Sequence, residues 1–393
     1  MNPIISIGVY LLAQAGTVLL LNRCLFGNQA LPAFFSGSRM LQWAAMAVYF
    51  LLALLPVAGA MLPDSRFKYS LQAAGNIWLG FFAYFFPAFL LTRIALRLFR
   101  FSPAGAADLR MTTACLVLGM VLLVYGLIHA QNTIVTAYDV NIEKDGGNVK
   151  DLKIVLLADL HLSVNSRPAT TQRMVEMVNE QQPDLIVIAG DIFTSTYDGL
   201  KNPEQYAQAL RQMKAEYGVY AVYGNHDVEE TLFGGFPVTP ISQAFRSEQM
   251  ENFFKECGFE ILYDDIVVLA DDSIQLAGRV DGEKAGDGTA RRMSAAELLA
   301  GTDPLKPIIV LEHEPVDFKA LKENGADLAL CGHTHAGQIF PGNLIVPFFN
   351  ENAYGRKTVN GLETIVTSGV GYYGPPMLVG TNSEITIVNL HMN

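Results

Sequence analysis

Residues 153–163 read KIVLLADLHLS: five apolar residues in six positions, followed at once by Asp159 and His161. A short charge-free run of this kind is a strand buried on both faces. An acid and a histidine just past its end occupy the place where open α/β sheets bind ligands. The same design returns four times. LIVIA (185–189) leads into GD at Asp191, and VYAV (219–222) into GNHD with Asn225, His226 and Asp227. IIVL (308–311) leads into HEP at His313, and DLAL (327–330) into GHTH with His333 and His335. Amphipathic segments at Ala169–Gln181 and Pro203–Tyr217 read as helices between the strands. Further strands are expected at Glu260–Leu262, Ile266–Ala270, Ser273–Ala277, Thr364–Thr367 and Glu384–Asn389. Gly278–Gly288 reads as a surface loop.

Five of the seven histidines fall in these strand-end motifs. Carboxylate, imidazole and one amide, with no thiolate, form a donor set for Mn, Fe or Zn type divalent ions. A site with that many ligands has room for two divalent metal ions. Two ions about 3.5–4 Å apart bind phosphate oxygens, acidify a bridging water and support in-line displacement. His226 is then placed to donate a proton to the leaving oxygen or to stabilise phosphoryl charge, with Asp227 to orient it.

The ordered series DLH, GD, GNHD, HEP, GHTH resembles the calcineurin-like metallophosphoesterase superfamily over about Lys153–Leu390. The tail SGVGYYGPPMLVGTNSEITIVNL (368–390) is similar to the closing segment of its bacterial membrane-associated branch. The resemblance implies an α/β fold, a four-layer α/β/β/α sandwich. It implies one metal on Asp159, His161, Asp191 and His335, and a second on Asp191, Asn225, His313 and His333, with Asp191 bridging. His226 is the implied catalytic histidine, and every ligand position is filled.

Upstream the chain changes character. Half of the whole sequence (51%) is hydrophobic and 17% charged, and the apolar excess lies before Lys150. Pro3–Leu21, Met40–Met61, Leu71–Leu91 and Met111–Ala130 are each long enough to cross a bilayer, which takes about 20 residues. An all-α transmembrane bundle of about four helices is expected, with the first span retained because it lacks a basic leader and a cleavage site. The expected division is an anchor at 1–132, a connecting segment at 133–152 and the phosphoesterase domain at 153–393. The lipid bilayer is the first expected partner.

Residues 1–150 carry 10 Lys and Arg against 5 Asp and Glu; the remainder carries 17 against 33. An acidic catalytic half excludes a broad nucleic-acid footprint, so no nucleic acid is expected as a partner. It does not exclude a phosphate-containing substrate, because bound cations dominate the local field. Arg23, Arg39, Arg93, Arg97, Arg100 and Arg110 lie in the first and third loops, against Arg66 and Lys68 in the second. The positive-inside rule then puts the catalytic half outside the cytoplasm.

The four cysteines do not form a disulfide framework, and Cys331 reads as a buried thiol. Phe348, Phe349, Tyr372 and Tyr373 are read as core or loop packing, with an apolar rim for a lipid tail as the alternative. Arg291 and Arg292 are read as a solvated helix start, and Glu229–Glu230 as surface charge. Three functional readings follow: hydrolysis of a lipid-linked phosphate, the same chemistry on a soluble phosphate with the helices as anchor only, and a transporter or sensor with a regulatory phosphoesterase domain. The spans hold no Asp, Glu or Lys, which weighs against the third.

Overall fold

A computed structural model describes residues 3–26, 39–101, 106–233 and 236–393. The chain divides into two compact units. One comprises Met1–Ile128 with Leu232–Val238 and Gly374–Met377; the other comprises His129–Thr231, Thr239–Tyr373 and Leu378–Asn393.

The catalytic unit is built on two six-stranded sheets. In chain order the first contains β1 (Thr133–Ile142), β2 (Asp151–Leu157), β3 (Leu185–Ala189), β4 (Val219–Val222), β7 (Glu260–Ile261) and β14 (Ser383–Met392). Its spatial order is β1-β14-β2-β3-β4-β7, with β2, β3, β4 and β7 parallel and β14 antiparallel to β2. The second contains β8 (Asp265–Leu269), β9 (Ile274–Gly278), β10 (Ile308–Leu311), β11 (Leu328–Cys331), β12 (Gly355–Val359) and β13 (Leu362–Val366), in the order β12-β13-β11-β10-β9-β8.

Strand alternation assembles the layers. Ile154 and Leu156 of β2 point between the sheets, where they meet Leu276, Ile309, Leu311, Leu328 and Leu330 of the second sheet. Val155 and Leu157, one residue out of phase, face the other way. They pack under Val175 and Val178 of helix Pro168–Glu180, Tyr206 and Leu210 of Pro203–Leu210, and Phe253 and Phe254 of Glu248–Cys257. On the far side, Ile308 and Val310 meet Leu298, Leu299, Phe318 and Leu321 of two short helices. Helix, sheet, sheet, helix are thus the four layers. Residues 133–152 do more than connect: all ten residues of β1 pair in parallel with β14, from Thr133–Ser383 to Ile142–Met392.

One element ends early. The helix starting at Pro203 stops at Leu210, not Tyr217. The Asn179 side chain captures the chain just beyond: its amide donates to the Gln212 carbonyl (2.8 Å), and its oxygen accepts from the Lys214 N–H (2.9 Å). Two local hydrogen bonds outweigh helix propensity there.

The other unit contains α1 (Pro3–Phe26), α2 (Arg39–Met61), α3 (Arg66–Leu98) and α4 (Ala106–His129, whose last residue falls in the catalytic unit). All four are long and apolar enough to cross a membrane. Pro56 and Pro87 lie inside α2 and α3. Phe81, Phe85 and Phe89 stack in sequence along α3, with ring centroids 5.3 and 5.5 Å apart. A Cβ at Gly119 of α4 would stand 2.9 Å from the Phe85 Cβ, so glycine permits the close helix approach. Arg93 near the end of α3 pairs with Asp108 in the first turn of α4. Tyr10 meets Phe233 edge-on at 5.7 Å, in the segment Leu232–Val238. Residues 27–38 and 102–105, which carry most of the first loop and part of the third, lie outside the described residues.

Candidate metal centre

Each motif residue sits within a few positions of a strand's carboxyl end, and the backbone there turns sharply. Asp159, His161, Asp191, His333 and His335 all have positive φ, between 46° and 74°. Aspartate and histidine tolerate this left-handed conformation better than most side chains, but each such residue costs of order 1–3 kcal/mol. The turns aim the side chains into one place. They are held there by cross-strand bonds: the Asp159 N–H donates to the Gly190 carbonyl (2.9 Å), and the His161 N–H to the Asp191 carbonyl (3.0 Å). Gly224 lets a neighbouring loop close on Asp191, because a Cβ there would stand 2.2 Å from its Oδ1.

All seven expected ligands are brought together. Donor atoms of Asp159, His161 and His335 lie within 4.8 Å of one another, and so do those of Asp159, Asp191 and His313. Asp191 Oδ2 stands between two histidines, 3.6 Å from His161 Nε2 and 3.2 Å from His313 Nε2. Asn225 Oδ1 lies 3.0 Å from His313 Nε2, and His333 Nδ1 lies 3.2 Å from that same nitrogen.

These residues fit divalent cations. His313 Nδ1 lies 2.7 Å from the Ala189 carbonyl, an acceptor, which fixes the proton on Nδ1. Nε2 of the same ring faces the oxygens of Asn225 and Asp191, and against the effect of burial the charge of Asp191 raises the His313 pKa well above the usual histidine value. His161 Nε2 and His335 Nε2 stand 2.9 Å apart. A cation would replace the protons between these nitrogen and oxygen atoms with shared coordination, and the carbonyl behind His313 is the outer partner that ligating histidines characteristically have. Burial pushes the Asp159 carboxyl up to about 8 and that of Asp227 up to about 7. Cations offset that desolvation.

His226 lies beside the cluster, its ring centroid 5.7 Å from that of His161. Its expected orienting partner is corrected. The Asp227 carboxylate is occupied by two backbone donors, the N–H groups of Phe193 and Gly224 (both 2.8 Å). Glu230 instead accepts from His226 Nδ1 at 2.8 Å, and its second oxygen accepts from Lys284 Nζ at 2.5 Å. Glu230 is buried, not surface charge. Gly278–Gly288 is also more than a surface loop: Arg279, Asp281 and Lys284 are buried, and the Asn225 side chain donates to Glu283 (3.4 Å). Tyr373 stacks on His226 with centroids 4.4 Å apart, and its buried hydroxyl has no hydrogen-bond partner among the described residues. Burial, then the charges of Glu230 and Asp191, hold that hydroxyl well above the usual tyrosine pKa.

The remaining singled-out residues are elsewhere. Arg292 is bound to Asp317 (2.9 Å) and is not a solvated helix start, because it closes a buried charge cluster with Arg279 and Glu312. Cys331 is buried. Phe348 and Phe349 are exposed, so neither packs in a core.

A family model described as calcineurin-like phosphoesterase matches residues 152–337. The chain is 33% identical over 303 residues to the transmembrane protein with metallophosphoesterase domain of Danio rerio, covering 73% of this chain and 64% of that one. It is 34% identical over 272 residues to the protein of the same description in Bos taurus, covering 68% and 59%. With a metallophosphoesterase of Aquifex aeolicus the identity is 30% over 244 residues, covering 61% of this chain and 85% of that one. The chain belongs to the calcineurin-like metallophosphoesterases. Its four apolar helices are long enough to cross a membrane, and the Danio rerio and Bos taurus relatives are described as transmembrane proteins. It spans 64% and 59% of the Danio rerio and Bos taurus proteins.

Proposed function

We propose that the chain hydrolyses a phosphate ester or pyrophosphate presented at a membrane surface, using two divalent ions held by Asp159, His161, Asp191 and His335 and by Asp191, Asn225, His313 and His333. The observation that carries this reading is the convergence of seven nitrogen and oxygen donors from five strand-end loops, with Asp191 Oδ2 standing between His161 and His313. Bound there, divalent ions supply Lewis acidity toward phosphate oxygens and acidify water.

The chain's own residues do the rest. Glu230 accepts from His226 Nδ1, which leaves Nε2 for a substrate; Lys284 fixes Glu230 in turn. His226 thereby offers a positioned group to the leaving oxygen or to phosphoryl charge. The Tyr373 ring limits its rotation, and the unpartnered hydroxyl is available to a phosphate oxygen. A membrane-borne substrate is favoured by connectivity. The chain passes into the helical unit directly after Tyr373 and two residues after Glu230.

His226→Ala separates binding from chemistry. The variant should retain its metal and lose about 10²–10⁴-fold in turnover of an aryl phosphate, because general acid–base groups contribute that much. Turnover equal to wild type with metal in place would remove His226 from the reaction.

A further inference from the structure

Away from the metal centre, the catalytic unit carries an exposed apolar surface. Phe348 and Phe349 are 85% and 81% exposed, with Leu344 and Ile345 beside them at 57% and 49%. They occupy one short stretch, the helical turn Gly342–Ile345 and the 3-10 turn Val346–Phe348. Its polar side chains face inward. Asn343 and Asn350 line a cavity of about 410 Å³ with Asn352 and Lys357, and the Asn343 amide donates to the Gly380 carbonyl (3.4 Å). A segment facing water packs its apolar side inward; here the order is reversed. Burying the phenyl rings would remove a contiguous apolar surface from water, so the stretch is suited to an apolar partner.

We propose that this partner is the lipid bilayer crossed by the chain's own helices. Continuity identifies it. Helix α4 ends at His129 and β1 begins at Thr133, so the patch belongs to a unit joined to a membrane span by three residues. His129 Nε2 lies 3.0 Å from the Thr381 carbonyl, and the hydroxyls of Thr133 and Ser383 are 2.9 Å apart. The Thr381 hydroxyl donates to the Gln338 carbonyl (3.0 Å), and the Phe340 N–H to the Val379 carbonyl (2.8 Å). The end of the span and the start of the apolar stretch therefore share one backbone segment, 379–383. Ile134 and Val135, at the start of β1, are partly exposed as well. Apolar faces of this kind settle about 5–10 Å into the boundary between headgroups and acyl chains.

Docked in this way, the patch fixes how the catalytic unit stands on the membrane. Docking does not depend on the phosphoesterase reading; only its consequence for substrate choice rests on it.

The test uses the full chain in lipid nanodiscs, with the fluorophore NBD attached at Phe348→Cys and, separately, at Phe349→Cys. Leu305→Cys serves as the water-facing control, because Leu305 is 77% exposed at the opposite end of β10 from His313. Circular dichroism checks folding, and no activity is needed. Doxyl-labelled lipid should quench NBD at 348 and 349, where aqueous iodide should not; the control should behave in the reverse way. Iodide quenching at 348 and 349 as strong as at 305 overturns the proposal. Shielding from both quenchers, as a second copy or another protein over the patch would give, overturns it too.

Discussion

At the scale of single residues, the metal centre depends on costly backbone geometry and on partners one step behind the ligands. Five ligands with positive φ put strain where function needs rigidity. The candidate ligands were legible because their chemistry is distinctive and each follows an apolar run. Glu230 was not. Its place four residues after His226 suggests a helix pair, but the link arises in a loop, and Lys284 arrives from 54 residues further along. Asp227, adjacent in sequence, looked the better orienter, yet its carboxylate is spent on two backbone N–H groups. Glu230→Gln keeps the shape and removes the charge that holds His226. It should lower kcat by about tenfold or more with little change in KM, since orientation of a catalytic group is felt in the transition state. Metal content should stay at the wild-type level. Steady-state kinetics with elemental analysis check both; an unchanged kcat would return the orienting role to another group.

At the scale of elements, the strands of the two parallel cores were the most readable feature. LIVIA, VYAV and IIVL became β3, β4 and β10 with unchanged bounds, because a strand covered on both faces must be apolar throughout. The helix at Pro203 was overextended, because its termination depends on Asn179, a residue remote in sequence. Nothing local in Thr133–Ile142 shows that β1 runs parallel to the last strand of the chain. Packing should obey the same logic. Ile154 is fully buried between the sheets, so Ile154→Ala should cost about 2–5 kcal/mol. Ile134 is 39% exposed, and Ile134→Ala should stay within about 0.5 kcal/mol. Thermal unfolding of the full chain in detergent tests the contrast; equal shifts would contradict the assigned layers.

At the scale of the whole molecule, an acidic catalytic unit is joined to helices whose loops are rich in arginine. From the balance of six basic residues against two, we propose under the positive-inside rule that the catalytic unit lies outside the cytoplasm. A reporter fused at Asn393 should be active only if export-dependent; activity from a cytoplasm-only reporter would reverse the side and leave the chemistry unchanged. The metal centre was legible as a set of residues, whereas the apolar stretch around Phe348 was not, because only its exposure distinguishes it from core. The proposed chemistry depends on whether the seven donors, six of them buried, hold two ions. Elemental analysis of the full chain, reconstituted with Mn in nanodiscs and freed of loose metal, measures that directly. Two ions per chain are expected, falling to fewer than one in Asp191→Ala because its carboxylate stands between both groups. A wild-type stoichiometry near zero, or one untouched by Asp191→Ala, would contradict a dinuclear centre at these residues.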